Sequence, residues 1–277
     1  MKNYNTENNK NQKTLIKVSH ITKIFNKGFL NNIISNPVTN IFPSVNDVSL
    51  DIKLGQTIGL VGASGSGKST LGKMIVRLIR PTSGQIFYQE NDIFSLSSKN
   101  FHPLRCDLQM VFQNPYSSFN NLLTVKEILS QGPQNFKKCG KNSENEFVDY
   151  LINLVGLNKD VKDKHPSELS GGECQRVGIA RSLSVNPKFI VFDESTSALD
   201  VIVQDKIIKT IKDIQKKRNL TYLFISHNIG LIKEISDNIA VMYNGKIVES
   251  GLPDKIYNNP NHEYTKKLIT SFKYLSS

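Results

Sequence analysis

No stretch of the sequence approaches the roughly 20 consecutive apolar residues that a membrane-spanning helix requires, so no segment reads as a membrane span. The opening, MKNYNTENNKNQKT, is polar and Asn-rich and lacks the apolar core of a secretory signal. Residues 1–14 are therefore expected to form a disordered leader, and the chain is expected in the cytosol or at a membrane only through partners. Cysteine is scarce. Cys106, Cys139 and Cys174 are scattered with no CxxC pair, which argues against a disulfide framework and a structural zinc site. Acidic residues fall short of basic ones, 24 against 35, giving a formal net charge of +11. Such an excess raises the possibility of a nucleic-acid or anionic-lipid surface. Part of it lies in DKIIKTIKDIQKKRN (205–219), where Ile207, Ile208, Ile211 and Ile214 recur at helical spacing with lysines opposite. That pattern reads as the solvated face of a core helix. Neither interleaved aromatics nor a nucleic-acid motif supports the sharper reading. What is present is an ordinary globular composition: 277 residues, 38% hydrophobic and 21% charged. That length suffices for one large domain or two small ones.

Punctuation and periodicity organise the chain. LIKVSHI, VNDVSLDI and QTIGLVG read as short strands within residues 15–61, interrupted by an insert at 27–43 that looks like a long hairpin loop. A helix is predicted from 69 to about 80, stopped by Pro81, with GQIFY as the next strand. Residues 95–167 read as mainly helical. There NEFVDYLINLVGL places Phe147, Tyr150, Leu151, Leu154 and Val155 on one helix face. Then strands and helices alternate: helix 171–184, KFIVFD, helix 201–218, TYLFIS, helix 228–235, NIAVMY and KIVES. Strands that are continuously apolar and separated by helices predict a mostly parallel, buried sheet.

GLVGASGSGKSTLGK contains GxxxxGK[ST] after an apolar strand and before a helix, the context a P-loop requires. Its residues Gly62, Ala63, Ser64, Gly65, Ser66 and Gly67 let backbone N–H groups turn inward around phosphates, and the helix start adds a favourable dipole. Lys68 supplies a point charge, and Ser69, with Thr70 following, offers a hydroxyl to Mg²⁺. KFIVFDES delivers Asp193 and Glu194 at the end of a buried strand, the edge where ligands bind in open α/β sheets. Asp193 suits an outer partner of Mg²⁺, and Glu194 can accept a proton from an attacking water. FISHN repeats the arrangement and presents His227 as a γ-phosphate contact. Gln113, in MVFQNPYSSFN, would on its own be an ordinary loop glutamine.

These elements, in this order, resemble the ATP-binding-cassette (ABC) ATPases over residues 15–272. The most specific piece is LSGGE followed by QR, which is similar to the signature that separates this family from other P-loop enzymes. The resemblance implies an α/β fold: a P-loop core with a mostly parallel sheet, an N-terminal antiparallel β subdomain and an inserted helical subdomain. The implied division is 15–94 (β and P-loop part), 95–167 (helical insertion), 168–250 (signature and carboxylates) and 251–277 (C-terminal extension), all within one domain from 15 to 277. It implies that Phe25 stacks on adenine, Gln113 contacts nucleotide and Mg²⁺, and Asp200 in SALD joins the site. It further implies that Ser170, Gly171 and Gly172 grip the γ-phosphate held by a second cassette's P-loop, in a head-to-tail dimer with two ATPs at the seam.

IGLVGASGSGKSTLGK, MVFQNPYSS, TSALDVIVQ and NPNHEYTKKLI narrow the resemblance to the ATPases of oligopeptide, dipeptide and nickel importers. That subfamily implies a second ATPase, identical or different, permease subunits and, indirectly, an extracytoplasmic solute-binding protein, with this chain peripheral at the cytoplasmic face. No nucleic-acid partner is expected. Glu173, Ser195, Asn228 and Glu263 depart from the usual pattern without removing a required group. The alternative left open is a non-transport ABC ATPase acting on nucleic acid or the ribosome.

Overall fold

In the computed structural model, which describes residues 13–25, 43–136, 144–195 and 201–276, two sheets share the strands. In chain order, β1 (Thr14–Lys23), β2 (Val45–Lys53) and β3 (Thr57–Val61) lead into α1 (Lys68–Ile75), followed by β4 (Ser83–Tyr88) and β5 (Asn91–Asp92). Next come α2 (Ser98–Phe101), β6 (Leu108–Val111), α3 (Val125–Asn135), α4 (Glu144–Leu154) and α5 (Gly171–Ser184). β7 (Phe189–Asp193), α6 (Val201–Arg218), β8 (Thr221–Ser226), α7 (Ile229–Ile235), β9 (Asn238–Tyr243) and β10 (Lys246–Gly251) precede α8 (Pro253–Asn258) and α9 (Glu263–Ser276). Most of the leader, the insert at 26–42, Cys139 and Asp200 lie outside the described residues.

One sheet is antiparallel, in the order β2-β1-β4-β5, and the other runs β10-β9-β3-β8-β7-β6. In the second, β9, β3, β8, β7 and β6 are parallel and only β10 is antiparallel. β3, β7 and β8 are buried at every position, as strands covered on both faces must be. Alternation divides them between two cores. Ile58, Leu60, Phe189, Val191, Leu223 and Ile225 face α1 and the antiparallel sheet. Val61, Ile190, Phe192, Tyr222 and Phe224 face the side of α5, α6 and α7. Ile207, Ile208, Ile211 and Ile214 of α6 are buried there, and Lys206, Lys209, Lys216 and Lys217 are exposed.

Three sequence expectations change. α1 stops at Ile75 instead of continuing to about 80, because Arg77 adopts a left-handed conformation (φ 58°). The Leu78 amide then donates to the Lys73 carbonyl (2.8 Å) and the Arg77 amide to that of Met74 (2.9 Å), the two bonds of a Schellman cap. β6 is a strand of the large sheet inside the stretch expected to be mainly helical, paired in register with β7 from Leu108↔Phe189 to Val111↔Phe192. On α4 the buried residues are Val148, Leu151 and Ile152, with Tyr150 turned outward to accept a hydrogen bond from Arg218 (2.8 Å).

The parallel register brings four strand ends to one edge. Val61 pairs with Ser226, Asp193 with Ile225 and Val111 with Phe192. The loops that leave β3, β6, β7 and β8 therefore emerge together, at the carboxyl edge where α/β sheets bind ligands.

Candidate functional site

The loop after β3 is shaped by neighbours that leave no room for a side chain. A Cβ on Gly62 would lie 2.1 Å from the Met242 carbonyl oxygen, and one on Gly67 (φ 106°) 2.1 Å from that of Ser44. Only glycine combines that approach with that conformation. Within the loop, the Lys68 ammonium donates to the carbonyls of Gly62 (2.8 Å) and Ala63 (2.9 Å). Burial depresses the Lys68 pKa, an effect opposed by the nearby Glu194 and Asp193 carboxylates. α1 starts at Lys68 with no side-chain cap and no acidic residue in its first turn. Its first amides therefore remain available to an anion, with the helix dipole behind them. The Ser66 hydroxyl is buried in the loop without a hydrogen-bond partner among the described residues.

Opposite Lys68, the Ser69 hydroxyl donates to Asp193 Oδ1 at 2.7 Å. Burial raises the Asp193 pKa, while the Ser69 hydrogen bond and the ammonium groups of Lys73 and Lys68 pull it down. A hydroxyl and a buried carboxylate in contact form a hard oxygen pair of the kind Mg²⁺ accepts together with water and phosphate oxygens. The residues present thus fit that ion.

Glu194, one residue on, has φ 47°. A left-handed non-glycine residue at a strand exit re-aims its side chain at a cost on the order of 1 kcal/mol. Its amide donates to the Ile225 carbonyl (2.9 Å). Its carboxylate accepts from Gln113 Nε2 at 3.0 Å and lies 3.6 Å from His227 Nδ1. Three strand ends are thereby joined by side chains: Gln113 after β6, Glu194 after β7 and His227 after β8. The His227 side chain is 62% exposed. Gln113 meets the carboxylate of Glu194, a contact its loop position did not announce.

The other predicted residues make different contacts. Phe25 is 47% exposed, with the Lys23 ammonium 5.0 Å from its ring centre. Ser170 caps α5: its hydroxyl accepts from the Glu173 amide (3.2 Å) and donates to the Glu173 carboxylate (2.8 Å), which also accepts from the Ser170 amide (2.9 Å). That reciprocal capping box satisfies two amides at the helix start. Among the described residues, and apart from its chain neighbours and the helix's own backbone, nothing lies within 4 Å of where a Gly171 Cβ would be. Among the described residues, none of Ser170, Gly171 and Gly172 hydrogen-bonds to the P-loop. The sequence reading missed one contact altogether. The Ala63 amide donates to the Tyr264 hydroxyl at 2.7 Å, and no local pattern signals it.

A family model described as ABC transporter matches residues 45–197. The oligopeptide transport ATP-binding protein OppF of Lactococcus lactis subsp. lactis is 43% identical over 244 residues, 88% of this chain and 75% of that protein. The dipeptide transport ATP-binding protein DppF of L. lactis subsp. cremoris is 42% identical over 262 residues, 94% of this chain and 81% of that protein. Among solved structures, the dimeric post-hydrolysis state of the ATP-binding cassette MJ0796, bound to ADP and Pi, superposes with a TM-score of 0.77. It is 27% identical and covers 86% of this chain and 98% of its own.

Proposed function

This chain belongs to the ABC transporter family, and from that premise we propose that it is the ATP-hydrolysing subunit of an importer for oligopeptides or dipeptides. The relatives named above are peptide-transport proteins, so the peptide reading is the one carried forward from the wider peptide-or-nickel expectation. One observation carries the enzymatic part: Lys68, the Ser69–Asp193 pair and the Gln113–Glu194–His227 cluster converge at one sheet edge.

The residues divide the work. P-loop amides and the Lys68 ammonium hold the β- and γ-phosphates, and Phe25 offers a ring to the adenine. Glu194 orients a water in line with the γ-phosphorus and takes its proton as the new P–O bond forms and the bond to the ADP oxygen breaks. Gln113 fixes the Glu194 carboxylate, and His227 faces the departing phosphoryl group. Mg²⁺, when held by Ser69 and Asp193, neutralises phosphate charge.

Ser170, Gly171 and Gly172 are assigned to the other site of a dimer, closing over the nucleotide on the partner cassette's P-loop. The lack of any hydrogen bond from them to this chain's own P-loop among the described residues and the open space at Gly171 support that reading, as does the dimeric state of the MJ0796 cassette. A second cassette, identical or different, and permease subunits complete the machine, and the solute-binding protein acts through the permease. The groove lined by Phe112, Ile128, Gln131 and Phe136 beside the Gln113 loop is where a permease helix would dock. As a subunit of such an importer the chain attaches peripherally at the cytoplasmic face; no helix among the described residues is long and apolar enough to cross a membrane.

A positioned general base contributes about 10²- to 10⁴-fold. The Glu194→Gln variant should bind ATP as tightly as wild type, hydrolyse it slower by about that factor, and accumulate as an ATP-loaded dimer. Steady-state turnover and gel filtration with ATP check this, and turnover equal to wild type removes Glu194 from the role.

A further inference from the structure

The C-terminal motif with Pro260, His262, Tyr264 and Thr265 takes no part in the chemistry above, yet the fold carries it to the P-loop. The peptide group between Gly62 and Ala63 is held on both sides. Its carbonyl accepts from Lys68 Nζ (2.8 Å), and its N–H donates to the Tyr264 hydroxyl (2.7 Å). In a trans peptide the C=O and N–H point in opposite directions. A grip on the N–H therefore fixes where the carbonyl points, and through the carbonyl it fixes Lys68.

Tyr264 is itself well held. Its ring stacks on Tyr243 with centroids 4.1 Å apart and planes 25° from parallel. Its amide donates to His262 Nδ1 (3.1 Å), and the Glu249 carboxylate accepts from the amides of Asn261 (2.8 Å) and His262 (3.0 Å) just ahead of it. Tyr243 follows Met242, whose carbonyl oxygen lies against Gly62. The outer wall of the P-loop is thus built jointly by the end of β9 and the first turn of α9. Further along α9, Ile269 is buried and the Phe272 ring covers Gly230 of α7. α7 begins two residues after His227. One helix therefore braces both the loop that carries Lys68 and the helix that follows His227.

From this geometry we infer that Tyr264 is a positioning residue of the nucleotide site: its hydroxyl holds the Gly62–Ala63 peptide in the orientation that sets Lys68 for phosphate. The inference rests on the nucleotide-binding reading above. Because the hydroxyl sets the resting shape of the loop, it acts on the bound ground state and the transition state alike, and its loss belongs in KM rather than kcat.

The test compares wild type with Tyr264→Phe, which keeps the ring on Tyr243 and removes only the hydroxyl, with Lys68→Ala as reference. Calorimetric titration with ATP should give a Kd about three- to tenfold weaker for Tyr264→Phe, the range one neutral hydrogen bond supplies. KM should rise in parallel, with kcat within about twofold of wild type and the melting temperature of the nucleotide-free protein little changed. A Kd within about twofold of wild type, or a loss seen only in the melting temperature, overturns the role of Tyr264. If wild type itself binds no ATP, or Lys68→Ala binds as well as wild type, the nucleotide reading fails first and takes the inference with it. Tyr264→Leu, which removes the stack as well, should weaken binding at least as much. If it fails to fold, Tyr264→Phe still decides.

Discussion

At the scale of single residues, Glu173 shows how a departure from the usual signature is absorbed. Its carboxylate accepts from both the amide and the hydroxyl of Ser170, and those hydrogen bonds hold its pKa below the ordinary value of 4.5. A carboxylate whose folded pKa lies below its unfolded one contributes stability in full above the unfolded value. That contribution disappears as the pH falls through the folded value. A glutamine here would keep an acceptor oxygen for the cap and lose the titration. Melting temperatures of wild type and Glu173→Gln, measured from neutral pH down through 4.5 and below, should therefore converge, with wild type losing its advantage toward acid. Curves that stay parallel would show that the carboxylate's charge contributes nothing to the cap. Ser170 has a single hydroxyl hydrogen, at present directed to Glu173. Gripping a phosphate requires that hydrogen to turn.

At the scale of elements, α5 ties the signature to the loop that carries Gln113. Along one face of the helix, Gln175 donates to the Phe112 carbonyl (3.3 Å), and a Cβ on Gly178 would meet Pro115 at 3.1 Å. Arg181 donates to the Ser118 carbonyl (2.9 Å) and hydroxyl (3.0 Å), with its guanidinium 4.9 Å from the Phe119 ring centre. Residues 112–119 and the helix starting after Ser170 therefore form one rigid piece. The Arg181→Lys variant keeps the charge but not the planar fork. It should lose about 1.5–3 kcal/mol in chemical denaturation, the range for hydrogen bonds to a charged group, and turn over ATP more slowly while its ATP affinity stays unchanged. A matching loss of affinity would place the effect in the P-loop instead.

What could be read from the sequence at this scale follows from how local each cause is. β7 and β8 are continuous apolar runs, and α5 has its cap and capping partner within four residues, so their bounds were legible. β6 is four residues with Gln109 half-buried between apolar neighbours; only pairing with β7 makes it a strand. The end of α1 was missed because arginine, not glycine, takes the left-handed position. Within the site, the strand ends announced Asp193, Glu194 and His227. The Gln113–Glu194 contact spans 81 residues and the Ala63–Tyr264 contact 201, distances over which no periodicity carries information.

At the scale of the whole molecule, the proposed arrangement makes a sharp statement about which chain completes which site. If Lys68 serves the nucleotide on its own chain and Ser170 the one on the partner, then a dimer of one Lys68→Ala chain and one Ser170→Ala chain collects both defects in a single site. The other site is then intact. Each variant alone has no intact site. Mixing equal amounts with random exchange in a two-fold symmetric dimer should therefore restore about a quarter of wild-type turnover, since half the dimers are mixed and each has one working site. If Ser170 instead acted on its own chain's nucleotide, the mixed dimer would hold two broken sites and turnover would stay at the level of the separate variants. Ser170→Ala also removes a helix cap worth about 1 kcal/mol, so its melting curve must be recorded beside the mixing experiment. Sedimentation of ATP-loaded Glu194→Gln protein tests whether the chain pairs with itself. Where it pairs only with a different cassette, placing one change in each subunit poses the same question. Recovery on mixing, from two proteins that are each inactive, is the outcome that only a site shared between chains can give.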